Sequence, residues 1–275
     1  MNCLIICGDH PRNYQIINDL LKIDYLNIIN VVLHKRDNLM PRPPEDLDGD
    51  IKRLWKLHFE KRYISEKKRF TFDINEFLSE KIIPIQNVDE ILDSKLLKIL
   101  QNQKIDICFL SGVPILSEKI LKLLPEFTIN LHLGIIPHYK GSITMFWPFL
   151  FLEPTMAGTT YHIVDKYVDT GEILHNNVPE MELGDGIHDI ASKAVLSASE
   201  DIAKVVDHVK YRINKKLLPI KDPSLRFKGK LFLKSDWKPH MLKFIYELFD
   251  DKIVDMYLKG LLKCEKPILK KLNKS

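Results

Sequence analysis

Residues 129–141, INLHLGIIPHYKG, combine the pattern of a β-strand with a loop that carries polar side chains. Asn130 and His132 alternate with apolar residues, so a strand that ends here places both of them on the same face. Pro137 and Gly141 then predict a loop, and reactive side chains are common in loops that follow strands. The stretch therefore predicts a strand whose end carries a functional site.

Around this strand, short β-rich runs alternate with segments of helical periodicity. The alternation predicts parallel strands joined by crossover helices, which is a Rossmann-like, doubly wound, mostly parallel α/β sheet. Ligands of such sheets bind beyond the carboxyl ends of the strands, where Asn130 and His132 fall. The predicted strands are residues 4–7, 28–33, 82–85, 105–110 and 127–131, and the predicted helices between them are residues 13–23, 88–100 and 117–124.

Further strands and a long helix are predicted after this stretch, and the chain then changes character. From Lys216 onward, prolines separate a short strand from a helical stretch. We therefore predict a main domain over residues 1–215 and a small α+β C-terminal extension over residues 216–275. The elements concerned are strands at residues 158–164, 172–176 and 230–233, and helices at residues 187–213 and after Pro239.

The composition predicts a protein without nucleic-acid or membrane partners. The formal net charge is +4, and lysine is spread along the chain instead of forming the basic stripe of a nucleic-acid binder. No apolar run reaches the ~18 residues of a membrane span, and residues 1–8 lack the basic start of a signal peptide. The four cysteines show no metal-type spacing, which indicates reduced thiols and a cytoplasmic location. His138, His162 and His175 form no recognisable metal set, and no metal is expected.

Asn130, His132 and the more distant Asp169 supply an amide, an imidazole and a carboxylate. The imidazole can take a proton from an attacking amine near neutral pH, and the carboxylate can orient it. The amide can donate to an oxygen that becomes negative. A set without a serine or cysteine nucleophile suggests transfer of an acyl group directly to a substrate amine. From spacing alone, a buried strand histidine with a capping asparagine and a turn aspartate is the alternative.

Residues 129–141, 158–164 (GTTYHIV) and 168–171 (VDTG) together resemble the signature of the folate-dependent formyltransferase superfamily. That signature has Asn-x-His, a loop with Pro and Gly, a Gly-x-Thr strand and an Asp-x-Gly turn, and all parts occur in this order. The specific match covers about residues 105–195. Within the superfamily, the chain most resembles the nucleotide-sugar N-formyltransferases.

The resemblance implies transfer of a formyl group from 10-formyltetrahydrofolate to a primary amine. Asn130 would stabilise the oxyanion, and His132 would act in proton transfer and oxyanion stabilisation. Asp169 would orient His132 and assist removal of the proton. A homodimer is also implied by the resemblance.

The same resemblance implies that the pterin ring lies against two loops, one after the fourth predicted strand and one before Asp169. An apolar run can pack a flat ring while backbone groups read its polar edge. The first loop can also be interpreted as a simple strand-to-helix turn with Ser117 as N-cap. This structural role is compatible with pterin binding. The implied cofactor-binding residues are Gly112, Pro114, Leu116, Asp165 and Val168.

The acceptor implied by the resemblance is a nucleotide-linked amino-dideoxy sugar, carried on deoxythymidine diphosphate (dTDP), of surface polysaccharide (lipopolysaccharide O-antigen) biosynthesis. The loop after His132 departs from the His-Pro-Ser-Leu-Leu-Pro form of the housekeeping enzymes. Arg12, at a helix start after the first strand, can clamp a phosphate, and an ordinary surface arginine is the alternative. The tail is also short beside the C-terminal barrel of the methionyl-tRNA enzymes. The implied substrate-binding residues are His10, Arg12, Tyr139, Lys140 and Trp147.

Other functions stay open at this point. The acceptor amine can instead be glycinamide ribonucleotide or methionyl-tRNA, and a folate- or nucleotide-binding sensor without catalysis is a different class again. The sequence does not choose the sugar, the position of its amino group or the base.

Two aromatic and charged segments have structural and functional interpretations. On a helix over residues 55–70, Arg62 and Glu66 share a face with His58, and we favour a solvated helix with an Arg–Glu pair over a nucleotide-binding face. For a second set, packing of the tail onto the main domain is expected, with base stacking or dimer contacts as the alternatives. That set is Trp237, Tyr246 and Phe249.

Overall fold

Within residues 1–35, 39–92 and 94–272, which the computed structural model describes, seven strands form one mixed sheet. The strands of the chain are β1 (Asn2–Gly8), β2 (Asn27–His34), β3 (Ile82–Ile85), β4 (Ile107–Ser111), β5 (Thr128–His132), β6 (Tyr139–Gly141), β7 (Thr159–Ile163), β8 (Ile173–Asn177) and β9 (Lys230–Phe232). The order across the sheet is β3-β2-β1-β4-β5-β7-β8. The first five pair in parallel, and β7 and β8 add antiparallel pairs. The predicted Rossmann-like, mostly parallel α/β fold is confirmed.

Helices cover both faces of this sheet. They are α1 (Pro11–Leu21), α2 (Gly49–Arg69), α3 (Asn75–Leu78), α4 (Ser94–Asn102), α5 (Glu118–Leu121), α6 (Trp147–Leu150), α7 (Ile187–Asn214) and α8 (Ile253–Leu258). Cys3 and Ile5 of β1 pack on the side of α1 and α7, whereas Leu4 and Ile6 pack into the core on the opposite side. Since both faces are buried, the central strands β1 and β4 are nearly continuous apolar runs, as is usual for parallel sheets.

Three predicted helices differ from the observed elements. The helix predicted over residues 88–100 is divided into a 3₁₀ turn, Val88–Leu92, and α4, with residue 93 outside the described residues. The helix predicted over residues 117–124 is shortened to α5. Pro125 disfavours a helical conformation at Leu124, and a turn follows Leu121. Ser117 precedes α5, but its side chain makes no capping hydrogen bond. After Pro239, the helical stretch consists of a 3₁₀ turn (Pro239–Met241), a π-helical turn (Phe244–Leu248) and α8.

The C-terminal extension shares a hydrophobic core with the main domain. β9 pairs in parallel with β6, which lies in the loop after His132. Trp147 stacks on Phe232, with ring centroids 4.7 Å apart, and Trp237 packs edge-on against Phe146 and Trp55. The predicted packing of the tail onto the main domain is confirmed for these contacts. The boundary between residues 215 and 216 stays a prediction.

The remaining sequence predictions concern membranes, cysteines and metals. None of the helices in the described part of the chain is both long and apolar enough to cross a bilayer. Cys3, Cys7 and Cys108 are buried in strands, as predicted. Among the residues that the structure describes, no group of three or more His, Cys, Asp or Glu is placed to hold a metal ion. That the protein needs no metal stays a prediction.

Candidate active site

Asn130 and His132 end β5 at the carboxyl edge of the sheet. β7 runs antiparallel beside them, in a register that sets His162 opposite Asn130 and Thr160 opposite His132. Directly opposed residues of an antiparallel pair point to the same face, so these four side chains share one side of the sheet. Leu131, between the two β5 residues, packs into the core on the other side.

Asp169 reaches this face from the loop between β7 and β8. Its backbone has a φ of 52°, in the left-handed region that aspartate tolerates better than most residues. One carboxylate oxygen accepts the N–H of Gly141 at 2.7 Å and lies 3.3 Å from Nδ1 of His132, and the other lies 3.4 Å from Nε2 of His162. A Cβ at Gly171 would come within 1.8 Å of a β7 carbonyl oxygen, so the turn requires glycine there. The structure thus brings the three predicted catalytic residues together.

The loop after His132 folds tightly over the imidazole. Thr160 anchors it: the hydroxyl donates to the Gly134 carbonyl at 2.7 Å and accepts the Ile136 N–H at 3.0 Å. A Cβ on Gly134 would lie only 2.6 Å from Nε2 of His132, so a larger residue would push the ring aside. Nε2 lies 2.8 Å from the carbonyl oxygen of Tyr139, to which its N–H donates.

The pKa values of the carboxylate and the imidazole shift in ways that suit proton transfer. Burial raises the pKa of Asp169, but the neighbouring groups, His132 first and the Gly141 N–H among them, lower it by more, and the result lies well below the ordinary value. Burial is the largest effect on the pKa of His132 and lowers it, against opposing effects of Asp169 and the Tyr139 carbonyl. At neutral pH the pair is therefore an ionised carboxylate beside a neutral imidazole.

This pair can accept a proton at a defined atom. The Tyr139 carbonyl can only accept a hydrogen bond, so the proton of the neutral His132 ring is on Nε2 and the lone pair is on Nδ1. A proton that arrives at Nδ1 turns the 3.3 Å contact with Asp169 into a charge-assisted hydrogen bond. Asn130 adds amide N–H donors on the same face. Acyl transfer to an amine requires a group that accepts the proton of the amine and, next to it, a hydrogen-bond donor that stabilises the oxyanion.

His162 is a further polar residue of this site, and sequence reasoning assigned it no role. Its ring is 2% exposed, and Nε2 lies 3.0 Å from Nδ2 of Asn130. The sequence offers one indication of such a role, since Thr160 and His162 alternate in the GTTYH strand and so lie on the same face. That alternation does not reveal an antiparallel partner, and it is the pairing with β5 that brings His162 to Asn130.

The first predicted pterin loop follows β4 at the same edge of the sheet. Gly112 has a φ of 60°, which suits glycine, and it is exposed together with Pro114. Leu116 is buried and packs into the core below β4. Ile115, which lies between Pro114 and Leu116, exposes 77% of its surface. The loop therefore presents an apolar side chain beside exposed backbone.

The second predicted pterin loop leads into Asp169. Asp165 is exposed, and one of its carboxylate oxygens accepts both the Tyr167 N–H and the Thr170 hydroxyl at 2.8 Å. Val168 is half-buried. Asp165 thus closes the turn that positions Asp169, and direct contact of this loop with a cofactor stays a prediction.

His10 and Arg12 are held by a carboxylate of the chain itself. Arg12 forms an ion pair with Glu66, and Nε of Arg62 lies 3.0 Å from the same carboxylate. His10 Nε2 lies 3.3 Å from Glu66 and 2.7 Å from Nη2 of Arg62. The predicted turn after β1 is therefore a charged cluster in which Glu66 balances the cations, and phosphate binding by Arg12 stays a prediction.

The face of α2 that carries this glutamate is buried, so the prediction of a solvated helix face is wrong. Glu66 is 5% exposed and His58 is 8% exposed. The reason is tertiary packing, because the C-terminal extension and α7 cover this face. His58 Nδ1 lies 2.8 Å from the Tyr246 hydroxyl and 3.2 Å from Nε2 of His188. The predicted pair of Arg62 with Glu66 is confirmed.

Tyr139 and Trp147, two predicted substrate contacts, are buried and hydrogen-bonded within the protein. The Tyr139 hydroxyl donates to Glu153, and the indole N–H of Trp147 donates to the Ser142 carbonyl at 2.9 Å. Both rings stack with Phe232 of β9. These side chains fasten the loop after His132 to the extension.

Lys140, the third predicted contact in this loop, is buried as well. Its Nζ donates to the carbonyl oxygens of Leu225 at 3.1 Å and Arg226 at 3.2 Å, in the first turn of the extension. Burial lowers the pKa of Lys140, and Asp169 opposes that shift. A substrate-binding role for Tyr139, Lys140 and Trp147 stays a prediction.

Fold and site together define an α/β protein with a proton-accepting polar site at the carboxyl edge of its sheet. The chain belongs to the formyl transferase family, whose model matches residues 58–206, more than half of the chain. The matched span contains Asn130, His132 and Asp169. The family predicted from the sequence is thus confirmed.

Methionyl-tRNA formyltransferases are among the relatives of known sequence. The one from Flavobacterium psychrophilum is 22% identical over 137 residues, which are 50% of this chain and 43% of that protein. The chain spans less than half the length of the curated relatives it matches.

Solved structures of formyltransferases share the fold. The N-formyltransferase from Helicobacter canadensis, solved with folinic acid and dTDP-3-aminofucose, is 17% identical with a TM-score of 0.54 over 86% of this chain and 73% of that chain. Glycinamide ribonucleotide transformylase 1 from Symbiobacterium toebii has the same identity and TM-score over 81% of this chain and 94% of that chain. At 17% identity, the similarity to these structures establishes the fold, but it does not show which amine accepts the formyl group.

Proposed function

We propose that this protein transfers a formyl group from 10-formyltetrahydrofolate to the primary amine of a nucleotide-linked amino-dideoxy sugar. The observation that carries the proposal is the convergence of Asn130, His132 and Asp169 on one face of the sheet, at hydrogen-bonding or ion-pair distances from their neighbours. A family of formyltransferases and a site able to accept a proton from an amine support the same reaction.

In the proposed reaction, Asn130, His132 and Asp169 each have a separate role. The folate supplies the formyl carbon, to which the amine nitrogen bonds while the bond from that carbon to the folate nitrogen breaks. Asn130 donates an amide N–H to the formyl oxygen as its negative charge grows. His132 takes the proton of the amine at Nδ1, where Asp169 stabilises the imidazolium, and then returns it to the departing folate nitrogen.

The two loops at the carboxyl edge fit a folate. Ile115, exposed beside Gly112 and Pro114, offers an apolar surface on which a flat ring can pack. The backbone at Gly112, with its positive φ, has no Cβ to obstruct a close approach. The H. canadensis enzyme, which has this fold, was solved with folinic acid. We therefore assign the loop after β4 and the loop before Asp169 to the folate.

The acceptor is proposed from the sequence of the loop after His132 and from the same solved structure, which holds a dTDP-linked amino sugar. Glycinamide ribonucleotide and methionyl-tRNA are the competing acceptors, because proteins with those names share the fold or part of the sequence. Assembly as a homodimer and a cytoplasmic location remain parts of this proposal, and light scattering of the purified protein tests the first.

The decisive experiment is a panel of amines incubated with 10-formyltetrahydrofolate and the protein. We expect a dTDP-amino-dideoxy sugar to gain the mass of one formyl group, and glycinamide ribonucleotide and methionyl-tRNA to remain unchanged. Asn130→Ala and His132→Ala should each lower kcat by about 100-fold or more while the folded state persists. Preferred formylation of another amine would replace the acceptor, and full turnover by both variants would refute the assignment of the site.

A further inference from the structure

His162 connects two of the three residues of the proposed site. It lies in β7 directly opposite Asn130, with Nε2 3.0 Å from the amide nitrogen of that residue. The same Nε2 lies 3.4 Å from a carboxylate oxygen of Asp169. The other ring nitrogen, Nδ1, lies 2.9 Å from the carbonyl oxygen of Ile163. Each nitrogen of the ring thus has a defined neighbour.

These neighbours determine which nitrogen carries the proton. A carbonyl oxygen only accepts hydrogen bonds, so Nδ1–H donates to Ile163. In the neutral ring, Nε2 then holds a lone pair and accepts an N–H from Asn130. A protonated ring would instead direct an N–H at Asp169 and could no longer accept from Asn130.

The hydrogen bond with His162 has a consequence for the amide of Asn130. An asparagine amide has two N–H groups, and the bond to His162 uses one of them and fixes the plane of the other. Asn130 is half-buried, so part of this residue remains exposed at the carboxyl edge of the sheet, where its second N–H can meet a substrate. A donor held in place before the reaction stabilises a developing oxyanion better than one that must rotate into position.

We propose that His162 is a positioning residue, which holds the Asn130 amide in the orientation that donates to the formyl oxygen. This inference rests on the proposed function. His162 acts through Asn130 and not through contact with the substrate. Its required property is a hydrogen-bond acceptor at Nε2, with Nδ1–H anchored by the Ile163 carbonyl.

Kinetics of three variants test the proposal. His162→Leu removes the acceptor and should lower kcat about 10- to 100-fold, with KM for both substrates within about twofold, because the misplaced amide matters most in the transition state. His162→Gln keeps an acceptor oxygen near the position of Nε2 and should recover most of kcat. His175→Leu is the matched control, since His175 is equally buried in the adjacent β8 but faces Asp201 of α7 at 3.0 Å. This variant should keep kcat in its folded fraction.

Three kinetic outcomes would overturn the proposal. One is full kcat for His162→Leu. Another is an equal loss for His162→Gln and His162→Leu, which would indicate that the ring itself carries a proton. The third is an equal fall of kcat in the His175→Leu control, which would indicate general damage. Thermal unfolding of each variant reports the folded fraction separately.

A second measurement is independent of turnover and separates this inference from the proposed function. Long-range ¹H–¹⁵N spectra of the ring nitrogens, assigned with His162→Gln, should show His162 with a proton on Nδ1 and none on Nε2. An Nε2–H or doubly protonated ring would overturn the proposal even if formyl transfer occurs. If the ring carries its proton as predicted in a protein that formylates none of the amines, the hydrogen-bond arrangement is correct and the proposed function is wrong.

Discussion

Asp169 is a carboxylate that two imidazole nitrogens approach at 3.3 and 3.4 Å, and it is only 9% exposed. An ionised group so deep in a protein is costly unless other groups compensate its charge. The Gly141 N–H does so permanently, and His132 can do so whenever it takes up a proton. The residue is therefore suited to a site where a positive charge appears during the reaction and then leaves.

The pH dependence of the reaction should reflect His132. The fold lowers the pKa of this residue, so the neutral form that accepts a proton persists below the ordinary histidine value of about 6.5. We expect kcat/KM to fall with decreasing pH only below that value. Asp169→Asn removes a charge that raises the pKa of His132, and should move the acid limb to still lower pH while lowering the plateau. Profiles of kcat/KM between about pH 5 and 8 measure both effects.

The control for this prediction is Glu126→Gln, which removes an exposed carboxylate before β5 and should leave the position of the acid limb unchanged. An acid limb that moves to higher pH in Asp169→Asn would contradict the assignment of His132 as the proton acceptor.

At the scale of residues, the sequence predicted those whose role follows from local pattern. Asn130 and His132 share a face because strands alternate, and the structure places them so. His162 was missed because its partner lies across an antiparallel pair. The family resemblance suggested a substrate-binding role for Trp147, but this side chain is buried and stacks on Phe232 of β9, which is far away in the sequence. Tertiary contacts of that kind leave no local signal.

Among the elements, the contact of α2 with α7 brings together two histidines, the buried His58 and the half-buried His188. Nδ1 of His58 lies 3.2 Å from Nε2 of His188, and the Tyr246 hydroxyl lies 2.8 Å from the same Nδ1. Burial, followed by the charge of Arg62, lowers the pKa of His58 to about 3, and burial also lowers the pKa of His188 well below its ordinary value. Both rings are therefore neutral in the folded protein.

This contact should weaken in acid. Between about pH 6.5 and 3, the unfolded chain binds a proton at His58 and the folded chain does not. The free energy of unfolding therefore decreases as the pH is lowered, by up to about 1.4 kcal/mol per pH unit. His58→Gln removes this linkage and should give a shallower decline between about pH 6.5 and 4.5 in urea unfolding. His240→Gln, at an exposed histidine, should keep the slope of the parent protein. Parallel slopes for all three proteins would contradict the prediction.

The elements themselves were largely predictable from periodicity. All strands of the sheet were predicted to within a few residues, and α7 to within one residue of Ile187–Asn214. The failures occur where periodicity is interrupted, as in the division of the segment after β3. The buried face of α2 was misjudged because its charged residues pair with one another and with β1–α1 groups instead of meeting water. Charge alone does not distinguish those two environments.

For the whole molecule, the core shared by the loop after His132 and the extension joins parts of the chain that are far apart in the sequence. Phe232 is 2% exposed and stacks between Tyr139 and Trp147, with ring centroids 5.7 and 4.7 Å away. Phe232→Ala should lower the free energy of unfolding by about 3–5 kcal/mol, because it leaves a cavity between the two parts. Phe227→Ala, at a side chain that is 81% exposed, should change it by about 0.5 kcal/mol or less. Denaturant unfolding measures both, and equal effects would show that the two parts do not share a core.

The parallel pairing of β6 with β9 also relates the site to the order in which the chain is made. Gly141, whose N–H holds Asp169, ends β6, and Ser142 next to it donates to the Phe232 carbonyl at 2.8 Å. A ribosome adds β9 long after both Gly141 and Asp169, so the nascent chain carries the reactive groups before the strand that steadies them exists. The site should therefore reach its final form late in biosynthesis, because a chain interrupted before β9 contains every proposed catalytic residue but lacks the strand that pairs with β6.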